Sequence, residues 1–216
     1  MPFNWHPHTK ILLILCFVGM LGFVVTAVGL ASDYWLIYNL SENVGTNVTS
    51  VLLDLAGLWR VCYRPEAIPD DDKPCHYIGY FTEADMSTPV YQYIYPVHGK
   101  DLLLPFIILM IVGIILAFLA EVLAMVCIKK RVKVLFASTG VAFILAGVVG
   151  LAGMIVFSLR GVELLSDWPH QVLGESPYEY VNFGWSFAIT WLGAALTLLN
   201  STGYFWLTRR HLDAMM

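Results

Sequence analysis

Four blocks of apolar residues run through the chain, each long enough to cross a lipid bilayer: Ile11–Ala31, Leu102–Ile128, Val134–Leu159 and Phe183–Leu207. A membrane-spanning helix needs about 20 such residues. Three of the blocks hold no charged side chain, and the second holds only Glu121. The apolar positions are contiguous rather than periodic, which is the pattern of helices whose outer surface meets lipid. Four spans predict a long segment at 32–101, a short connector at 129–133, a second segment at 160–182 and a tail at 208–216. The first block is too long for the apolar part of a cleaved signal peptide, so it is expected to remain as a span. Within the long segment, Asp33–Leu40, Gly57–Tyr63 and His76–Phe81 are rich in aromatic and β-branched residues and predict strands. Pro65, Pro69 and Pro74 make the stretch between the cysteines irregular. Val90–His98 reads as a short helix or an extended lead-in to the second span. The fold class is an all-α transmembrane four-helix bundle with a small antiparallel β-sheet on one side, all in a single domain.

Composition agrees with this and excludes a soluble domain. The 216 residues are 58% hydrophobic and 13% charged, with a mean hydropathy of +0.71. A soluble fold has too little interior to hide that much apolar surface. Tyr34, Trp35, Trp185 and Tyr204 sit near span ends, where aromatic residues gather at the membrane interface.

Charge orients the spans. Lys10, Lys129, Lys130, Arg131, Lys133, Arg209 and Arg210 all fall on one side. The positive-inside rule puts that side, and both termini, in the cytosol. The two longer segments then face outward, carrying fourteen acidic against five basic residues. Asp70, Asp71, Asp72, Glu83 and Asp85 concentrate the acid, a surface suited to cations or a basic partner. The Asp70–Asp72 run lacks the ligand spacing of a dedicated calcium loop. Cys62 and Cys75 are the outward pair in an oxidising compartment and are expected to be bridged. Loop closure gives that bond about 3 kcal/mol. Cys16 reads as a small packing residue inside a span, and Cys127 as a span-end cysteine within reach of palmitoylation. Asn47 and Asn39 head outward glycosylation sequons, Asn47 being the better placed.

Other chemistry is sparse. The sequence has no phosphate-binding loop, no His/Cys metal spacing and no nucleophile elbow. The expectation is a protein that is not an enzyme, takes no cofactor, and binds neither nucleic acid nor a small-molecule substrate. Gly140, Ala142, Ala146, Gly147, Gly150 and Gly153 line the third span. Ala142, Ala146 and Gly150 share one face and permit close helix approach. Glu121 is expected to have a structural or snorkelling role near the cytosolic end. Asn200-Ser201-Thr202 is expected to hydrogen-bond between helices.

One set of residues carries a resemblance. Trp35 follows the first span, then come Gly57-Leu58-Trp59, Cys62 and Cys75. This pattern resembles the signature of the claudin superfamily of four-span membrane proteins. Trp35 and Trp59 are expected to pack the sheet onto the membrane surface. Three further stretches narrow the likeness: the residues from Ser32 to Tyr38, Ala56 to Tyr63, and Tyr180 to Asp213. They resemble the calcium-channel gamma subunit family, and within it the gamma-five/gamma-seven branch of transmembrane AMPA-receptor regulatory (stargazin-like) proteins. Gly184-Trp185-Ser186-Phe187 and the run Ile78–Asp85 share in that likeness. Members of that branch carry a long tail beyond the position of Arg209-Arg210-His211, whereas this sequence runs to Met216.

The resemblance implies an auxiliary subunit of AMPA-type ionotropic glutamate receptors in the postsynaptic plasma membrane. It modulates gating and trafficking while surrounded by membrane lipids. The implied receptor contacts fall on Ala142, Ala146 and Gly150 in the third span and on Phe187, Trp191, Ala195 and Leu198 in the fourth. The acidic loop then faces basic receptor surface. Two other readings stay open: a voltage-gated calcium-channel gamma subunit, and a junctional claudin forming a paracellular barrier.

Overall fold

The computed structural model describes residues 7–40, 53–63, 75–77, 99–130, 132–161 and 178–213. Asn47, Asp70, Asp71, Asp72, Glu83, Asp85 and the segment Val90–His98 lie outside them, as does Ile78–Asp85. The elements in chain order are α1 (Pro7–Ala31), β1 (Leu36–Leu40), β2 (Leu53–Ala56), β3 (Arg60–Tyr63), β4 (Cys75–Tyr77), α2 (Gly99–Lys130), α3 (Lys133–Val156), a π-helical turn (Phe157–Gly161), β5 (Tyr178–Phe183) and α4 (Trp185–Asp213). Among the described residues the fold is the expected one, four long helices and a small antiparallel sheet. Among the described residues, three stretches are long and apolar enough to cross a membrane by composition: Thr9–Ala31, Leu104–Lys130 and Lys133–Leu159.

The fourth expected span differs from the other three. Its helix begins at Trp185, not Phe183, because Phe183 ends β5. It has the length to cross, but Thr190, Thr197, Asn200, Ser201 and Thr202 dilute its apolar character. Their placement explains how it still fits. Thr190, Thr197, Asn200 and Ser201 are buried, while Leu192, Leu199 and Trp206 are exposed. Helix α4 turns four of these five polar side chains inward, leaves Thr202 on its outer face with its hydroxyl bonded to its own helix, and presents large apolar residues there, an arrangement suited to a lipid-facing helix.

The chain divides into two compact units, each of which has its own core. The first comprises Met1–Val28, Leu109–Gly153 and Ile189–Met216. It is a bundle of parts of all four helices around Leu12, Ala120, Ala124, Cys127, Phe136, Phe143, Tyr204 and Leu207. Small residues set its spacing. A Cβ added at Gly113 would lie 3.3 Å from the backbone nitrogen of Gly150, so α2 and α3 meet almost backbone to backbone.

The second unit comprises Gly29–Ile108 and Met154–Ala188 and holds the sheet. Among the described residues its five strands run in the order β4-β3-β2-β1-β5, every pair antiparallel. Two strands were not legible in the sequence. β2 precedes the Gly-Leu-Trp motif, and β5 takes in the end of the segment at 160–182 together with Phe183, the first residue of the fourth apolar block. β5 pairs along the whole of β1, from Leu36 opposite Phe183 to Leu40 opposite Tyr178. The expected strand at Gly57–Tyr63 begins only at Arg60, because Gly57–Trp59 form the turn out of β2. Likewise Ser32–Trp35 form the exit from α1 and not the start of β1.

Candidate functional site

The signature residues of the second unit converge on the C-terminal turn of α1. The last carbonyls of a helix lack an intrahelical partner and need donors from elsewhere. Both signature tryptophans supply one. The indole N–H of Trp35 donates to the Gly29 carbonyl at 2.9 Å, and that of Trp59 donates to the Leu30 carbonyl at 2.7 Å. The Ser32 hydroxyl adds a second bond to Gly29 at 2.9 Å. The spacing of the motif therefore has a local cause, because it sets two indoles over one helix end.

Each signature residue has a distinct part. Gly57 donates its amide to the Arg60 carbonyl at 2.8 Å, closing the tight turn between β2 and β3. A side chain at Gly57 would begin 2.5 Å from the Asp33 Cα, so the turn requires glycine by close approach. Leu58 is buried. Arg60 forms an ion pair with Asp33, tying β3 to the exit from α1. This pair was not foreseen from the sequence, since Asp33 and Arg60 were counted only as outer charges.

Trp35 is the centre of an aromatic cage. It is 1% exposed. Phe106, Phe157 and Phe187 stand edge-on around it, with ring centroids at 5.5, 5.0 and 6.3 Å. Phe187 also stacks on Phe183 at 4.0 Å, so the cage continues into β5. The start of α4 is fastened to the same place: Gly184 donates to the Trp35 carbonyl at 2.9 Å and Ser186 to the Tyr34 carbonyl at 3.1 Å.

Cys62 and Cys75 are disulfide-bonded, opposite each other on β3 and β4. Among the described residues β4 ends the sheet, and this bond ties it covalently to β3. Cys62→Ser is expected to cost about 3 kcal/mol. The loss would appear as a lower thermal midpoint in detergent and as a mobility no longer changed by reductant. An unchanged midpoint would show that the sheet holds β4 without the bond.

The first unit carries a polar node. Glu121 is 2% exposed, and the Cys16 thiol donates to its Oε2 at 3.8 Å. Among the described residues its Oε1, both amide atoms of Asn200 and the Tyr204 hydroxyl have no hydrogen-bond partner. Gly19 makes room for them, since a Cβ there would lie 2.0 Å from Glu121 Oε1 and 2.5 Å from Asn200 Nδ2. Two expectations change. Glu121 points into the bundle and does not snorkel. The hydroxyls of Ser201 and Thr202 bond back to the Leu198 and Leu199 carbonyls of their own helix, at 2.6 and 2.7 Å, and not across helices. Cys127 is fully buried with its sulfur 3.2 Å from the Thr139 hydroxyl, which removes it from the reach of palmitoylation. A cleft of about 20 Å³ beside Gly113 and Gly150 is water-sized.

The implied partner contacts are placed as follows. Ala146 and Gly150 are buried in their own bundle, Gly150 facing Ala194 and Gly113. They close the bundle and do not present an outer face. Ala142 is half-buried against the core cluster, and Leu198 lies over Gly147. Phe187 is half-buried in the cage, Trp191 is half-buried, and Ala195 is exposed. The outward residues are their neighbours: Val141, Ile144, Leu145 and Val148 on α3, and Leu192, Leu199 and Trp206 on α4. The backbone of Asn39 lies in β1.

The PMP-22/EMP/MP20/Claudin tight junction family matches residues 20–205. The chain belongs to this family. The match runs from the first helix of this claudin-family protein to near the end of its last. It therefore takes in both tryptophans, the Gly-Leu-Trp turn and the disulfide.

Proposed function

We propose that this claudin-family protein is an auxiliary subunit of AMPA-type ionotropic glutamate receptors, acting in the postsynaptic plasma membrane. Both termini and the short connector between α2 and α3 lie in the cytosol, as their basic residues favour. The observation that carries the reading is the outer face of α4. The stretch from Tyr180 to Asp213, one of the three that carry the likeness to the gamma-subunit branch, forms the end of β5 and all of α4. On α4, Leu192, Ala195, Leu199, Thr202 and Trp206 recur at helical spacing and are all exposed. A continuous stripe of this kind suits a neighbouring membrane helix. The stripe of Val141, Ile144, Leu145 and Val148 on α3 offers a second such face.

The mechanism follows from linkage. An auxiliary subunit changes gating only by binding the open, closed and desensitised states with different affinity. A subunit that bound all of them equally would leave the equilibrium untouched. The α4 stripe supplies lateral contact, and the acidic outer segments supply contact with basic receptor surface.

The test is co-expression with an AMPA-type receptor and recording of desensitisation. The protein is expected to change its rate, and Ala195→Trp, which adds bulk to the exposed stripe without entering the core, is expected to reduce that change at least severalfold. Receptor currents identical with and without the protein would overturn the reading. A change in calcium-channel currents instead would favour a calcium-channel gamma subunit, and strands between contacting cells would favour a junctional claudin.

A further inference from the structure

We propose that the end of the helical bundle bearing Lys10, Lys129, Lys130, Lys133, Arg209 and Arg210 is a binding site for the phosphate headgroup of a phosphoinositide in the adjacent leaflet.

The convergence of these residues follows from the core. Leu12, Cys127, Phe136 and Leu207 belong to one buried cluster, each from a different helix. The six basic residues lie two or three positions from those four. At a rise of about 1.5 Å per residue, each lies within about 5 Å along its helix axis of that shared layer. Lys10, Lys129, Lys130, Arg209 and Arg210 are exposed, and Lys133 is half-exposed. All four helices therefore contribute positive charge to one end.

By sequence, the first unit holds only two acidic residues against that charge. The acids of the first unit are Glu121, which is buried against Cys16, and Asp213, the last residue of α4. Whatever Asp213 does, the end keeps a large positive excess. Part of the excess complements the C-terminal dipoles of α2 and α4. Lys133 has no such part, because it opens α3, where the dipole is itself positive.

Two features suit phosphate in particular. The Val132 carbonyl accepts the amides of Leu135 and Phe136 at 3.0 and 3.2 Å, so the first turn of α3 starts there. The amides ahead of Leu135, those of Lys133 and Val134, belong to the set with no intrahelical acceptor, and they point to the same end as the basic side chains. The guanidinium of Arg210 also lies 4.3 Å from the centre of the Trp206 ring, which holds it beside an exposed, interface-seeking tryptophan. A polyvalent headgroup at the bilayer surface meets charge, amide donors and a fixed guanidinium together. Clusters of four to eight basic residues beside a membrane span are the usual electrostatic recognition element for such lipids.

The test is native mass spectrometry of the detergent-solubilised full chain, titrated with phosphatidylinositol bisphosphate, phosphatidylcholine or inorganic phosphate. The bisphosphate lipid is expected to bind at least about tenfold more tightly than phosphatidylcholine, and the binding is expected to weaken as salt rises. Each of Lys129→Gln, Lys130→Gln, Arg209→Gln and Arg210→Gln is expected to weaken it about fivefold. Lys129→Arg and Lys130→Arg are expected to leave it within about twofold, since charge is kept. Equal binding of phosphatidylcholine, binding indifferent to salt, or a fourfold Gln variant that binds like the unaltered chain would each overturn the proposal. Inorganic phosphate binding as tightly as the lipid would overturn the assignment to a lipid. The salt series needs no variant, so it stands even if the Gln variant fails to fold.

Discussion

Trp35→Ala is expected to destabilise the protein by about 3 to 5 kcal/mol, the usual cost of removing a large aromatic side chain from a packed interior. The ring is fully enclosed by Phe106, Phe157 and Phe187, which come from α2, the π-helical turn and α4. Those rings would line a void, because each is already packed against others: Phe106 against Phe157 at 4.9 Å and Phe157 against Phe187 at 6.0 Å. Trp35→Phe separates the two roles of the residue. It keeps an aromatic ring in the cage but removes the indole N–H. Gly29 would still accept the Ser32 hydroxyl, so the loss is expected to be about 1 kcal/mol for the bond, with some further cost for reduced volume. The readouts are the thermal midpoint and the monodisperse fraction of the purified protein in detergent. An alanine variant as stable as the unaltered chain would mean that the cage does not hold this unit together.

The second large effect is expected at Gly184. A Cβ there would lie 2.1 Å from the Tyr34 carbonyl oxygen and 2.7 Å from its carbon. Both are backbone atoms in the turn that leads out of α1 and into β1, so relief requires the chain itself to move. That movement would strain the bonds from Gly184 to Trp35 and from Ser186 to Tyr34, which fasten the start of α4. Overpacking of this kind costs about 1 to 3 kcal/mol or more, and Gly184→Ala is expected to fall at the upper end. Gly150→Ala provides the contrast. A Cβ at Gly150 meets only the Ala194 Cβ, at 3.9 Å, an ordinary contact. In mid-helix, alanine is favoured over glycine by about 1 kcal/mol. Gly150→Ala is therefore expected to be neutral or stabilising. Reversal of this order would contradict the close approach at Gly184.

The contrast between the two glycines also shows what the sequence makes legible. The three most apolar blocks announced α1, α2 and α3, because uninterrupted apolar residues in a chain of this composition have few other solutions. The disulfide was legible because Cys62 and Cys75 share one polar segment. The part played by Gly57 was hidden, since the pattern around it identifies a family without saying what the glycine touches. Strand β5 was hidden for a different reason. It is held by β1, which is far away in sequence, and its own residues, Tyr178–Phe183, run straight into an apolar helix. Hydropathy averages across such a boundary and cannot divide it.

Helix faces were the hardest to read. Ala142, Ala146 and Gly150 announce close approach but not the helix that approaches, and the answer for Gly150 is α2 and α4 of the same bundle. In α4 the polar residues lower the mean hydropathy. Only the structure shows that Thr190, Thr197, Asn200 and Ser201 are turned inward while Leu192, Leu199 and Trp206 remain outside. The node of Glu121, Asn200 and Tyr204 was equally hidden. Its members are far apart in sequence, and Gly19, which gives them room, contributes no side chain of its own.

The most direct test of the proposed function is recovery of the protein from its native membranes in mild detergent, with mass spectrometry of whatever accompanies it. The account predicts AMPA-type glutamate-receptor subunits in near-stoichiometric amounts. Recovery of calcium-channel pore subunits, or of the protein with only itself and junctional scaffolds, would contradict it.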